Sequence, residues 1–135
     1  MIRRRVPDKL KARSMIEAAV LEIKFLRTLR VSRESGATIV RGVYENFRML
    51  GDALLFIHGK EAIGPDHHGE MINELFTLSL NTKRPINTLN NLKSLRNNIN
   101  YRGYIPSVEE VKDSLSIAED CFEPILKEVK KELGE

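Results

Sequence analysis

The apolar residues of this chain recur at intervals of three and four positions, which is the spacing of one buried face of a helix. The clearest case lies between residues 35 and 58, where the apolar positions are Val40, Val43, Phe47, Leu50, Leu54 and Ile57. No segment alternates apolar and polar residues in the manner of a half-buried strand. The pattern therefore predicts a chain of helices with no β-strand.

Capping and breaking residues divide the chain into five predicted helices. The first four cover roughly residues 7–30, 35–58, 64–80 and 86–101, and the third is short. The fifth begins at Ser107 and Glu110, which are spaced as a capping box, and contains Pro124, which is expected to kink it. We expect an all-α fold, an up-and-down bundle of four long helices plus one short helix, in a single domain over residues 1–135.

A charged stripe lies opposite the apolar face of the second helix. It consists of Arg41, Glu45, Arg48 and Asp52, which follow one another at intervals of four, three and four residues. Such pairs stabilise an exposed helix by roughly 0.2–0.5 kcal/mol each. The spacing therefore predicts a solvent-exposed row of ion pairs.

Composition narrows the class of protein further. Hydrophobic residues make up 41% of the chain and charged residues 30%, which is typical of a folded domain. Cys121 is the single cysteine, so an internal disulfide and a zinc site built from cysteines are excluded, and a reducing compartment is indicated. No run approaches the roughly 20 apolar residues of a membrane span, and no signal peptide is evident. We expect a cytoplasmic protein that does not enter the membrane, with Cys121 as a small buried side chain.

The charges are unevenly distributed along the chain. Residues 79–108 contain five cations and no carboxylate, whereas residues 109–135 contain nine carboxylates and four lysines. The acid-free segment would attract phosphate groups. The acidic C-terminal helix would neutralise it equally well, and the sequence leaves these two interpretations open.

The three histidines do not form a metal-binding pattern. His67 and His68 are adjacent, so on a helix their side chains point about 100° apart, and His58 lies on another helix. Neither an HExxH motif nor a glycine-rich phosphate loop is present. We expect no metal ion and no cofactor, and capping or surface roles for the histidines.

The segment SLRNNINYRGYIP, residues 94–106, is the unusual part of the sequence. Asparagine is a mediocre helix former, and three asparagines fall here within four positions. Arg96 and Asn100 offer donors suited to phosphate oxygens, and Tyr101 and Tyr104 are able to stack on bases or to donate to phosphate. The alternative is structural, with Arg96 paired to an acid of the charged stripe and the tyrosines packed with their hydroxyls in solvent.

Two segments resemble the HEPN superfamily, the higher eukaryotes and prokaryotes nucleotide-binding proteins. One is IVRGVYENFRMLGDALLFIHG in the second helix, and the other is LKSLRNNINYRGY, a fourth helix with Arg-Asn followed by an aromatic residue. The likeness extends from the first helix to about Cys121. It implies an up-and-down bundle that often forms a homodimer, with a site near the two-fold axis. Many members are metal-independent ribonucleases of toxin type whose antitoxin is a minimal nucleotidyltransferase, and others bind nucleotides or serve only in interactions.

The resemblance assigns roles residue by residue. Arg96 matches the family arginine and Asn97 the polar residue that follows it, while the position of the family histidine falls on Tyr101. In the ribonucleases that histidine assists the RNA 2′-hydroxyl as a base, and a tyrosine with a pKa near ~10 is a poor base at neutral pH. On an ideal helix Arg96 and Tyr101 also diverge by about 140°. The tyrosine that antitoxins modify in some toxins corresponds to Gly103, with Tyr104 one residue later.

The sequence therefore predicts a HEPN-like protein of a toxin–antitoxin pair that binds a nucleotide, RNA or a nucleotidyltransferase partner through a polar cleft on the fourth helix. The predicted binding residues are Arg96, Asn97, Asn100, Tyr101, Arg102 and Tyr104, and a catalytic site would use Arg96, Asn97 and Tyr101. Two alternatives stay open, an active metal-independent ribonuclease toxin and a non-catalytic structural or interaction bundle. A homodimer is expected from the resemblance.

Overall fold

The computed structural model describes residues 1–65 and 67–135, and this part of the chain forms five helices and a two-stranded sheet. The helices are α1 (Lys9–Leu26), α2 (Gly36–Ile57), α3 (His67–Leu75), α4 (Thr88–Arg102) and α5 (Val108–Leu133). The strands are β1 (Ile2–Arg4) and β2 (Lys60–Ala62). Only α3 is short, so the predicted all-α bundle of four long helices and one short helix is confirmed.

The prediction of no β-strand is wrong at one place. β1 and β2 pair antiparallel, and Arg3 lies opposite Glu61 at the centre of the pair. Each strand has three residues, which is too short for an alternating pattern to show in the sequence. Arg3 forms an ion pair with Glu61 across the two strands, and Arg5 approaches the same carboxylate at 3.2 Å. Opposite charges facing each other favour strand pairing, so part of the basic charge near residue 1 is compensated here.

Helix α1 begins at its predicted cap and ends earlier than expected. The Asp8 side chain caps the helix by accepting a hydrogen bond from the Lys11 amide at 2.9 Å. The helix ends at Leu26, and a turn follows in which the Thr28 hydroxyl donates to the Phe25 carbonyl at 2.7 Å. The side chain therefore satisfies a carbonyl that a longer helix would have used.

Helices α4 and α5 end or begin at the predicted signals, whereas α3 ends at Leu75 and not near residue 80 as predicted. Gly103 closes α4 with φ at 65°, in the left-handed region that favours glycine. The capping box of Ser107 and Glu110 at the start of α5 is confirmed, and α5 continues through Pro124 as one helix. The predicted start of α3 falls partly on Asp66, which lies outside the described residues.

Helix α2 is the central element of the bundle and contacts α1, α3, α4 and α5. Its apolar face is buried as predicted. The charged stripe is largely covered as well, because α3 and α4 pack against α2. Asp52 is only 7% exposed, Glu45 and Arg48 are half-buried, and only Arg41 of these four is exposed. The prediction that this stripe faces solvent is therefore wrong.

Helix α3 is held against α2 at a single close approach. A Cβ atom at Gly51 would lie 1.9 Å from the Met71 carbonyl oxygen, so only glycine permits this contact. Met71, Ile72 and Leu75 are buried beneath α3. This docking carries the start of α3, including His68, to the side of α4.

The core is one continuous hydrophobic cluster to which all five helices contribute. Cys121 of α5 belongs to it and is fully buried as predicted, and this burial raises the pKa of its thiol. Within the described part of the chain, no helix combines the length and the apolar character that crossing a bilayer requires.

Candidate functional site

Arg96 projects from α4 onto α2 and is held there by three neutral side chains. Its guanidinium carbon lies 4.8 Å from the centre of the Tyr44 ring, which is the distance of a cation–π contact. Its Nη1 donates to Asn97 Oδ1 at 2.8 Å, and its Nη2 lies 3.1 Å from His68 Nδ1. The side chain is therefore fixed in position by partners that carry no negative charge.

Glu45 and Asp52, the acids of the charged stripe with which Arg96 was able to pair in the structural alternative, are bound to Arg48 instead. Arg48 donates to Glu45 through Nε at 2.8 Å and through a second, short contact, and its Nη1 lies 3.9 Å from Asp52. Among residues 1–65 and 67–135, no carboxylate lies within ion-pair distance of Arg96. The pairing of Arg96 with Asp52 or Glu45 is therefore not formed.

Arg48 also sets the ionisation of these acids. Burial raises the pKa of Glu45, but the hydrogen bonds and charge of Arg48 outweigh it, and the net pKa is lowered. Burial raises the pKa of Asp52, which the more distant Arg48 opposes without reversing it. Glu45 is thus a charged, satisfied carboxylate beside the site.

His68 contacts Arg96 and was not indicated by the sequence as a site residue. Burial lowers the pKa of its imidazole, and the positive charges of Arg48, His67 and Arg96 lower it further. The neutral ring accepts the Arg96 hydrogen bond at Nδ1, which assigns its proton to Nε2. The sequence signal is the pair of adjacent histidines, whose spacing argues against a shared metal ion and does not show a contact with another helix.

A groove of about 560 Å³ opens beside Arg96, and we call it the Arg96 groove. It is lined from α1 by Glu22, Phe25 and Leu26, from α2 by Thr38, Arg41, Gly42, Tyr44 and Glu45, and from α4 by Arg96 and Asn100. The Asn100 side-chain oxygen accepts from Arg41 Nε at 2.6 Å, which places a second guanidinium at the same opening. The volume of the Arg96 groove lies within the range of roughly 300–1,000 Å³ that is typical of small-molecule binding sites.

The structure brings together some of the predicted site residues and separates others. Arg96 and Asn100 contact side chains of α2, and Asn97 contacts Arg96. Tyr101 is 76% exposed, as its helical angle from Arg96 predicts, and α4 remains helical past it. The Tyr104 hydroxyl donates to Glu110 at 2.5 Å and thereby belongs to the α5 capping box.

The acid-free segment is partly neutralised by the acidic helix. Arg84 forms an ion pair with Asp113 of α5 at 2.8 Å. Lys93 extends towards α3 instead. Its Nζ lies 2.7 Å from the position that a Cβ atom would occupy at Gly69, so its ammonium contacts the first turn of α3. Arg102 is exposed at the end of α4. Neutralisation by the acidic helix is therefore shown for Arg84, and attraction of phosphate by the other cations stays a prediction.

A cavity of about 360 Å³ is lined by Tyr104 and also by Arg41, whereas other cavities lie away from the predicted site residues. One of about 700 Å³ lies beside Pro124 and is lined by residues of α5 and of the segment 79–81, and no predicted site residue contributes to it. In the described portion of the sequence, no group of three histidine, cysteine or acidic side chains is placed to hold a metal ion.

Comparison of the chain with protein-family models, with curated proteins and with solved structures gives no match. The chemistry of the Arg96 groove is accordingly the basis for assigning a function.

Proposed function

We propose that the Arg96 groove binds the phosphate group of a nucleotide or of RNA. The observation that carries this proposal is the state of Arg96, which is oriented by Tyr44, His68 and Asn97 and has no carboxylate partner within the described residues. A guanidinium has five N–H donors, and the contacts to Asn97 and His68 leave donors for a ligand. Phosphate oxygens match this planar set of donors in charge and in geometry.

Arg41 strengthens the case for an anion. It lines the same groove from α2 and is steered by Asn100, so two guanidinium groups face one opening. Glu45, which also lines the groove, is occupied by Arg48 and adds little uncompensated negative charge. A phosphate between Arg41 and Arg96 would meet donors from two helices.

The test uses thermal unfolding with AMP and with inorganic phosphate as ligands. Binding at 100 times Kd raises the free energy of unfolding by about 2.7 kcal/mol, which is a measurable increase in Tm. We expect this stabilisation in the native protein and in Lys127→Ala, a control that removes a cation lining the cavity near Pro124. We expect none in Arg96→Ala. Equal stabilisation of Arg96→Ala and the native protein would refute the proposal.

A second candidate function, a metal-independent endoribonuclease, is favoured by the contact of His68 with Arg96. The resemblance implied a histidine on the fourth helix, where this chain has Tyr101, and His68 supplies an imidazole from α3 instead. An RNA phosphate that binds Arg96 would replace its bond to His68 and free Nδ1. The neutral Nδ1 would then accept the proton of the 2′-hydroxyl, whose oxygen bonds to the adjacent phosphorus as the bond from phosphorus to the 5′-oxygen breaks and the 5′-oxygen takes a proton from water.

Incubation with mixed RNA in EDTA tests this second candidate. We expect cleavage by the native protein and by His67→Gln, and none by Arg96→Ala or His68→Gln. Cleavage that persists in His68→Gln would exclude His68 as the base. Absence of cleavage by the native protein, together with intact phosphate binding, would leave the binding function alone.

The proposal keeps the HEPN resemblance, including a homodimer and a nucleotidyltransferase partner of a toxin–antitoxin pair. Its support is the likeness of the α2 and α4 segments and the bundle of helices in which they lie. Sedimentation equilibrium tests for the homodimer, and co-purification with the product of a neighbouring gene tests for the nucleotidyltransferase partner. A monomer at micromolar concentration would remove the dimer from the proposal.

A further inference from the structure

One aromatic side chain of α1 lies outside the core, on the wall of the Arg96 groove. Phe25 is 61% exposed and lines the groove. The chain has four other phenylalanines, and all are buried or half-buried, namely Phe47, Phe56, Phe76 and Phe122. Phe25 therefore contributes little to the core and presents an aromatic face to whatever enters the groove.

The groove has two chemically different walls. Arg41 and Arg96 make one wall cationic, whereas α1 contributes the ring of Phe25 and the carboxylate of Glu22 to the other. A simple anion such as phosphate would use the cationic wall alone. The complementary ligand has an anionic group at one end and a flat ring with hydrogen-bond donors at the other.

We propose that Phe25 stacks on the base of a nucleotide or single-stranded RNA whose phosphate binds Arg96 and Arg41. This inference rests on the proposed function and names the ligand class of the same groove. Aromatic side chains stack on every base, because each base has a π-face. Glu22 accepts a hydrogen bond from a ribose hydroxyl or from an exocyclic amine of the base.

A different role for Phe25 would be docking of another protein through the outer face of α1. Leu10 and Leu21 of the same helix are 74% and 71% exposed, so an apolar surface extends beyond the groove. Phe25 differs from both leucines, because it lines the same opening as Arg41 and Arg96. That shared opening favours a ligand with both a ring and a charge over a purely apolar partner.

Tryptophan fluorescence gives a direct test, because the chain contains no tryptophan. Phe25→Trp places a single fluorophore in the groove, and Leu21→Trp places one on the same helix outside it. We expect AMP to quench the fluorescence of Phe25→Trp and to leave Leu21→Trp unchanged. Inorganic phosphate at saturation is expected to cause no comparable quenching in either variant. Quenching of both variants, or of neither, while AMP binds would overturn the inference.

The energetic test compares AMP with inorganic phosphate by NMR titration of the native protein and of Phe25→Ala. We expect Phe25→Ala to weaken AMP binding at least about fivefold and to leave phosphate binding unchanged. Leu21→Ala is the matched control and keeps both affinities. A circular dichroism melt confirms that each variant folds.

The outcomes separate this inference from the proposed function. If native protein binds phosphate and AMP equally, and Phe25→Ala does the same, the phosphate site stands and the base-stacking role of Phe25 is refuted. If neither ligand binds the native protein, both proposals fail. If Phe25→Ala and Leu21→Ala change the sedimentation coefficient and not the AMP affinity, the α1 surface docks a protein and the inference is overturned.

Discussion

At the scale of single residues, Arg96 is fixed in position without an ion pair to a described acid. A cation–π contact with Tyr44 contributes about 0.5–2 kcal/mol, depending on how far the pair is desolvated. The hydrogen bonds to Asn97 and His68 add orientation without adding negative charge. A guanidinium held in this way loses little conformational entropy when a phosphate arrives, which favours binding.

His68 is expected to make the stability of the protein depend on pH. Its pKa in the folded state is lowered from 6.5, first by burial and then by Arg48, His67 and Arg96. The unfolded chain therefore binds the proton more readily than the folded one. The contribution of His68 to the free energy of unfolding is complete above about pH 6.5 and is lost as the pH falls through the lower folded-state pKa.

Urea denaturation at pH 5 to 7.5 measures this dependence. In the native protein the free energy of unfolding is expected to fall with decreasing pH below about pH 6.5, and in His68→Gln this slope is expected to be smaller. His67→Gln is the matched control, since it removes the adjacent imidazole and leaves the contact with Arg96 in place. An identical slope in the native protein and His68→Gln would contradict the assignment.

The sequence indicated Asn97 and Asn100 because asparagines, which are poor helix formers, cluster within a helical segment, and it indicated Arg96 because a guanidinium offers donors suited to phosphate. It did not indicate His68 or Phe25. A histidine near a loop and a phenylalanine in an amphipathic helix are common, and neither shows which helix it will face. Their roles depend on where α1 and α3 pack.

At the scale of elements, the site depends on how closely α3 approaches α2. Gly51 allows the backbone of α3 to contact α2 directly, and α3 then places His68 on Arg96. Since helices pack closely only where the facing side chains are small, this contact fixes the depth of α3. Gly51 is required because it has no Cβ atom to collide with α3, and not because its backbone is flexible.

Gly51→Ala is expected to destabilise the protein, whereas Gly69→Ala is not. The Cβ at position 51 would lie 1.9 Å from a backbone oxygen, and overpacking of this kind costs about 1–3 kcal/mol or more. At Gly69 the obstacle is the flexible end of Lys93 at 2.7 Å, and replacing a helical glycine gains up to about 1 kcal/mol.

Chemical denaturation gives both free energies of unfolding on the same scale. NMR spectra of Gly51→Ala are also expected to show shifted His68 signals, since α3 has to move outward. Equal stability of Gly51→Ala and the native protein would mean that α3 does not pack against α2 at this glycine.

At the scale of the whole molecule, the charges are sorted by tertiary structure and not only by position in the chain. The acid-free segment is divided between Arg84, which pairs with Asp113, and Arg96, which joins Arg41 at the groove. The acidic α5 thus neutralises one end of this segment, whereas Arg96 and Arg41 at the groove form no ion pair with a described acid. Local concentration of cations, and not the net charge of +3, determines where an anionic ligand would bind.

Binding of a short single-stranded RNA is expected to weaken steeply with salt. For single strands, the slope of log K against log of the salt concentration is about −0.7 per neutralised phosphate. Arg41→Ala and Arg96→Ala are each expected to reduce the slope by about 0.7, and Lys127→Ala by nothing. Fluorescence anisotropy of a labelled oligoadenylate at increasing salt measures these slopes. Identical slopes in all four proteins would exclude the groove as the contact with the phosphates.

The sequence by itself determined the number of helices, some of their caps and the burial of their apolar faces. These features follow from contacts within a few residues, such as the capping box of Ser107 and Glu110, and from the period of the helix. It also singled out Arg96. Only the tertiary structure decided that Arg48 takes the acids of the charged stripe, that β1 pairs with β2, and that His68 and Phe25 reach the neighbourhood of Arg96. Those contacts join distant parts of the chain, and no local pattern encodes them.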